Sequence, residues 1–206
     1  CTLTEGYDTI SYLKDFNDGK GIYVEFFNNN DLEGTPDATG YYDKALNFST
    51  FGAWGFAEGI STDNLSVRIS GKFTAPFTGE MKYTASSDNG YIFKVNGEVI
   101  EEAKGGARRG FGFRRNVEYK SFNVTEGQTY EVVIEYRRGK GNFAMLNADI
   151  CERRLIQFDD LKKDVADADA IIVIGGISAQ IEGEGGDKQT IELADVQQRL
   201  IRAMHE

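Results

Sequence analysis

Leu65 to Ala75 reads LSVRISGKFTA, and it alternates without a fault. Leu65, Val67, Ile69, Phe73 and Ala75 fall on one side; Ser66, Arg68, Ser70, Lys72 and Thr74 fall on the other. Successive side chains of a strand point to opposite faces, so the pattern predicts a strand with one face on a core and one in water. Working outward, Pro76 to Gly79 turns the chain into Met81, Tyr83 and Ala85. Asn96-Gly97 then separates YIFKV from EVI, the strongest short signal for a hairpin. Val117 to Val124, a turn at Glu126-Gly127, Tyr130 to Tyr136 and Phe143 to Ile150 add three more strands. With GIYVEFF at Gly21 to Phe27 the count reaches at least eight. Strands at this density, joined by glycine-rich turns, argue for a sandwich or a barrel.

The aromatics divide the chain. All ten Tyr, the single Trp54 and thirteen of the fourteen Phe lie at or before Phe143, and only Phe158 lies beyond. Past about residue 150 the composition shifts to Ile, Ala, Asp and Glu. There Ala166 to Lys188 reads ADADAIIVIGGISAQIEGEGGDK. The apolar run Ala170 to Ile174, closed by Gly175 and Gly176, has the pattern of a strand buried on both faces in a parallel sheet. Such strands deliver functional residues to the loop at their C-terminal end. Here that loop carries Glu182, Glu184 and Asp187 with glycines between them, which lets backbone approach a ligand closely. Beyond it, Val196, Leu200, Ile201 and Met204 recur at helical spacing. One strand and one helix cannot close a core, so the chain reads as a piece of something larger, and its start at Cys1 fits a processed or excised piece. A short helix is expected around Ser11 to Phe16, with an irregular connector as the alternative.

Charge and cysteine count narrow the functional classes. The formal net charge is −10 over 206 residues, spread across both parts of the chain. An acidic chain of this kind is a poor binder of nucleic acid or anionic membrane. No stretch approaches the apolar length of a membrane span. One histidine, His205, excludes histidine-based triads and multi-histidine zinc sites. Cys1 and Cys151 flank the β-rich part, and either a bridge or two free thiols fits that placement.

Two further features invite a binding role. Ser87-Asp88-Asn89-Gly90 joins two strands, as an Asx turn or as a polar tip that could hydrogen-bond a ligand. Lys104 to Arg115, KGGARRGFGFRR, holds five basic residues in twelve with Phe111 and Phe113 between them. Arginine and aromatic interleaving suits single-stranded nucleic acid, but the acidic surroundings argue against that. A solvated hairpin or a sugar-facing loop remains. In the second, the Phe rings would stack on sugar, and Arg108 and Arg109 would donate paired hydrogen bonds.

Two family resemblances draw these pieces together. GIYVEFFNNNDLEGTP, then LSVRISGKFTAPFTGEMKYTASSDNGYIFKVNGEVI, resembles the β-sandwich named after the anthrax toxin protective antigen, with three of its motifs in order. Some members of that family bind sugars through calcium held by an Asp-Asp pair. Here the second position is Asn89, which removes one anionic oxygen from a hard-cation site. The expectation is therefore no cofactor, no metal and no structural calcium, with Asp88 and Asn89 meeting sugar hydroxyls directly.

The strand, IEGEGGDK loop and following helix are similar to the α/β sandwich domain of glycoside hydrolase family 3. That resemblance implies that Glu184 is the general acid/base, with Glu182 as the fallback, and that Asp187 orients the loop. Lys188 and Ala194 depart from the commoner Arg and Pro of that pattern.

The combined expectation is a mainly β chain: an antiparallel β-sandwich flanked by partial α/β elements. Residues 1–20 would be α/β fragment or connector, 21–152 the sandwich, and 153–206 a fragment of the family 3 α/β domain. The parent would be a periplasmic or secreted retaining β-glycosidase. Its partners would be an oligosaccharide or glycoside and a barrel domain outside this chain that supplies the nucleophile. The alternative is a free-standing, adhesin-like carbohydrate-binding module.

Overall fold

The computed structural model describes residues 7–50, 55–104, 118–138, 143–176 and 191–205. By contact density the chain forms two units. One is Ser11–Arg108 with Glu118–Glu152; the other is Cys1–Ile10, Arg109–Val117 and Arg153–Glu206.

The larger unit is an antiparallel sandwich. Its strands are β2 (Ile22–Phe27), β3 (Ala38–Tyr42), β4 (Leu46–Ser49), β5 (Ser66–Thr74), β6 (Gly79–Ser87), β7 (Gly90–Val95), β8 (Glu98–Lys104), β9 (Lys120–Val124), β10 (Thr129–Arg137) and most of β11 (Met145–Leu155). β1 (Tyr7–Ser11) precedes them. One sheet runs β3-β2-β5-β10-β7-β8, and the other runs β1-β11-β6-β9 with β4 also on β11.

The alternation of Leu65 to Ala75 is realised in β5 with one exception. Leu65, Val67 and Ile69 are fully buried, while Arg68 and Ser70 are half-exposed. Ser66, expected on the water side, is wholly buried, and its hydroxyl oxygen accepts the Leu32 N–H at 3.2 Å. Neighbouring strands on both sides, β2 and β10, hold it in register. The layers meet through aromatic rings. Tyr83 of β6 stacks on Phe93 of β7 at 4.1 Å, and Phe26 of β2 meets Phe48 of β4 edge-on at 5.3 Å. Such pairs add to the burial of apolar area that holds two sheets face to face.

The β7–β8 hairpin turns at Asn96 and Gly97, both with positive φ (50° and 81°), as a two-residue turn of the twist-matching kind requires. The Asn96 carboxamide oxygen also accepts the Glu131 N–H at 2.8 Å, tying the turn to β10.

Three short strands, β1, β3 and β4, had no sequence expectation. The short helix expected at Ser11 to Phe16 is a single 3-10 turn, Leu13–Asp15, that follows β1. Phe16 is wholly buried behind it and stacks on Phe73 at 4.9 Å, so packing against the sheet ends the turn early.

In the smaller unit, α1 (Phe158–Asp164) and α2 (Asp195–His205) pack together, with the Arg199 guanidinium 5.2 Å from the Phe158 ring centre. Val196 and Leu200 of α2 are buried, as the helical spacing predicted, but Ile201 is exposed. The expected parallel strand at Ala170 to Ile174 is not formed: residues 170–176 take no regular structure, and Ile172 and Ile174 are 86% and 94% exposed. A parallel strand needs a ladder partner for its N–H and C=O groups, and among the described residues the Ala170 to Ile174 stretch belongs to neither sheet. No described helix is long and apolar enough to cross a membrane.

Candidate functional site

The β6–β7 turn carries the two polar residues singled out from the sequence. Asp88 is half-buried, and its Oδ1 accepts two hydrogen bonds of 2.8 Å each, from the Tyr136 hydroxyl and from the Met145 N–H. The carboxylate thus ties the turn to β10 and β11. Burial first, and then the Asp88 charge, push the Tyr136 hydroxyl well above the ordinary phenol range. Tyr136 is therefore a neutral donor at any physiological pH.

Asn89 is exposed, and its Nδ2 donates to the Arg137 carbonyl at 2.8 Å. Beside it opens a cleft of about 160 Å³, lined among others by Ile92, Glu102, Glu135 and Arg137.

Strand register explains why these side chains meet. Glu25, Arg68, Glu135, Ile92 and Glu102 are consecutive partners across β2, β5, β10, β7 and β8, so they form one row on the outer face of the six-stranded sheet. Opposite charges alternate along its first half, with Arg68 3.4 Å from Glu25. Glu135 bonds Lys94 at 3.0 Å and Arg137 at 3.4 Å. Burial raises the Glu135 carboxyl, but Lys94 and Arg137 together hold it below the usual carboxylate range. The cleft presents carboxylates, a guanidinium and an amide beside Ile92 and Ala103. That set suits a polyol, whose hydroxyls both donate and accept. Glu102, Glu135 and Arg137 escaped sequence reading, because only the pairing of β7 with β8 and with β10 brings them beside Asn89.

A second polar cluster lies at the roots of the basic loop. Glu101 of β8 accepts hydrogen bonds from the Tyr83 hydroxyl at 3.0 Å and the Tyr91 hydroxyl at 2.8 Å, and it pairs with Lys120 at the start of β9. Burial, then Glu101, raises both phenols far above their ordinary value. Glu101 reaches this position through a bulge. Phe93 pairs with Glu101 and Lys94 with Val99, so Ile100 is the extra residue, exposed, and the carboxylate takes the inward place. An inward charge on an edge strand also discourages pairing with another sheet. Arg108, Arg109, Phe111 and Phe113, on the loop that these residues root, lie outside the described residues. So do Glu182, Glu184 and Asp187, and Cys1. Cys151 is buried in β11.

Among the described residues, no group of three or more His, Cys, Asp or Glu side chains is placed to hold a metal ion. One buried acid stands apart. Asp149 of β11 accepts the Ser11 hydroxyl at 2.6 Å, and burial raises its carboxyl to about 6 against the opposing pull of Ser11 and of the Ile150 backbone.

Comparison with known proteins agrees with this architecture. The chain is 26% identical over 197 residues to a xylan 1,4-beta-xylosidase of Xylanibacter ruminicola, covering 90% of this chain and 22% of that protein. It is 23% identical over 199 residues to a beta-glucosidase of Kluyveromyces marxianus, covering 89% of this chain and 24% of that protein. A crystal structure of the Kluyveromyces marxianus beta-glucosidase with glucose superposes with a TM-score of 0.62 at 20% identity, over 91% of this chain and 24% of that one. The chain thus spans less than a quarter of the length of the curated relatives it matches. Residues 18–150 match the PA14 domain, well over half of the chain, and the chain belongs to that family.

Proposed function

We propose that this chain is the part of a retaining, exo-acting β-glycosidase of the family 3 type that carries the acid/base glutamate and an inserted PA14 sandwich. Residues 1–20 and 153–206 are then pieces of its α/β domain, and 21–152 is the insertion. The observation that carries the reading is the reach of the similarity. The PA14 match ends at residue 150, whereas both curated glycosidases align with about nine tenths of the chain. The likeness therefore extends well past the sandwich into residues 151–206. A free-standing adhesin module, the alternative reading, has no use for that region.

In this mechanism a carboxylate outside residues 1–206 attacks the anomeric carbon. Glu184 protonates the leaving oxygen and then activates the water that releases the glycosyl-enzyme. The two carboxyls must come within roughly 5–5.5 Å for retention. Asp187 orients the loop. The sandwich shapes the subsite for the rest of the oligosaccharide, through Asn89 and its cleft and through Arg108, Arg109, Phe111 and Phe113. Asp88 contributes by holding the turn, since its Oδ1 already serves Tyr136 and Met145. Those two bonds, with an amide at Asn89, also support sugar binding without calcium, because a hard cation requires several free oxygens. A parent of this kind works outside the cytoplasm, in the periplasm or secreted. Residues 1–206 alone are inactive.

The test is Glu184→Gln in the full-length protein. Hydrolysis of glycosides with poor leaving groups falls by about 10²–10⁴-fold, aryl glycosides of acidic phenols are affected far less, and azide partly restores turnover. The same signature from Glu182→Gln, with Glu184→Gln near wild type, moves the role to Glu182. Its absence from both variants removes the glycosidase reading of the loop.

A further inference from the structure

The outer face of the six-stranded sheet carries an aromatic pair that the core does not use. Tyr23 of β2 and Tyr41 of β3 are direct cross-strand partners, and their rings lie 5.0 Å apart with 46° between the planes. Ile22, Val24 and Phe26 are buried, so alternation along β2 turns Tyr23 to the outer face. Tyr41 is 52% exposed, and Tyr23 is half-buried beside it. Neither ring belongs to the hydrophobic core or packs against it. Tyr42, one residue on, does the opposite and meets Phe48 edge-on at 5.3 Å.

Register sets this pair on the same face as the Asn89 cleft. Tyr41, Tyr23 and Ser70 are consecutive partners across β3, β2 and β5. The row two residues along, from Thr39 through Glu25 and Arg68, is the one that reaches Glu135 and Ile92 in the cleft. Four strand spacings separate β3 from β7, about 19 Å. The charges in between are compensated within the sheet. Arg68 pairs with Glu25 and donates to the Leu32 carbonyl at 3.0 Å, and Lys94 pairs with Glu135 at 3.0 Å. Such a face has little to attract a charged polymer, and the net charge of −10 further disfavours an anionic one.

We propose that Tyr23 and Tyr41 form a stacking platform for a neutral polysaccharide, which lies across the outer face of the sheet between the platform and the Asn89 cleft. A pyranose ring presents a face of C–H groups, and the electron-rich face of a tyrosine ring complements it. Tyrosine offers that surface at a small cost in conformational entropy. The hydroxyls of Ser70 and Thr39 and the Glu25 carboxylate flank the rings as partners for sugar hydroxyls. A cross-strand pair also supports the edge strand, but two rings turned to water do more than that support requires. This extends the reading of the Asn89 cleft as a sugar subsite along the same face.

Affinity electrophoresis of the full-length protein tests it, in native gels holding soluble xylan, a soluble β-glucan or no polymer. Wild type is retarded by at least one of the two polymers. Tyr41→Ala and Tyr23→Ala each raise the apparent dissociation constant about 3- to 10-fold, the scale of one aromatic contact. Tyr41→Phe, which keeps the ring, binds as wild type does. Equal migration in the polymer-free gel verifies that the variants are folded, and the exposure of Tyr41 makes its variants the safer pair. No retardation of wild type by either polymer, or retardation that both alanine variants keep in full, overturns the inference. So does self-association of wild type that Tyr41→Ala abolishes with retardation untouched, which assigns the pair to a second copy of the chain. Asn89→Ala separates the two readings. Weakening by the tyrosine variants alone leaves the platform standing and removes the cleft as a subsite; weakening by Asn89→Ala alone does the reverse.

Discussion

Ile69 sits in an alternating segment and Ile172 in a continuous apolar run, both with the pattern of a strand, yet Ile69 is wholly buried and Ile172 is 86% exposed. Ile69 lies in β5, which has β2 on one side and β10 on the other, and it faces the aromatic layer between two sheets. Ile172 lies in a stretch with no strand beside it among the described residues. The difference teaches that a strand is a relation between segments. The sandwich brings its own partners, so its alternating pattern is spent within the chain. The Ala170 to Ile174 run has the pattern of an interior strand without the sheet that such a pattern presupposes. On our reading, that sheet belongs to the rest of the parent protein.

Substitution separates the two regions most sharply. Ile69→Ala removes a fully packed side chain and destabilises the sandwich by about 3–4 kcal/mol. Ile172→Ala changes the stability of this chain by less than about 0.5 kcal/mol, as an exposed position does. Urea unfolding of the two variants beside wild type measures both. In the full-length protein the second value rises toward the first, because the run is then an interior strand. An Ile172→Ala cost as large in residues 1–206 as in the parent breaks the comparison.

The next effect lies within the sandwich and depends on pH. The folded state raises the Asp149 carboxyl from 3.8 to about 6, so between those values the folded state binds more protons than the unfolded. Stability from this group is complete below about pH 4 and is lost as pH rises through about 6, a change on the order of 3 kcal/mol. Glu80 and Glu135, held below the ordinary carboxylate range, act in the opposite sense. The difference between wild type and Asp149→Asn isolates the single group. Asp149→Asn keeps an acceptor for Ser11, is the more stable protein at pH 7, and loses that margin as the pH falls to 4. A parallel pair of stability curves from pH 4 to 7 contradicts the assignment.

These contrasts also show what sequence could carry. Alternation in β5, the Asn96-Gly97 turn and the helical spacing of Val196 and Leu200 are local patterns, and they are legible without a fold. β3 and β4, ATGYY and LNFS, are short and lack sustained alternation, so only their pairing makes them strands. Asp88 reads as a polar turn residue, but its Oδ1 partners, Tyr136 on β10 and Met145 on β11, come only from pairing distant in sequence. The Glu101 hub was hidden for a different reason: the bulge at Ile100 shifts the side-chain parity, which no periodicity count anticipates. Glu102, Glu135 and Arg137 come together through register across three strands, and register is a long-range fact.

Amide hydrogen exchange on residues 1–206 tests most directly the claim that the sandwich is complete in itself and the Ala170 to Ile174 run is not. Protection follows the free energy of opening, from near zero in unpaired segments to the global stability in a paired core. The account predicts slow exchange at Val67, Ile69 and Val132 and fast exchange at Ile171 and Val173, with the last two becoming slow in the full-length protein. Equal protection of both regions in residues 1–206 would contradict it.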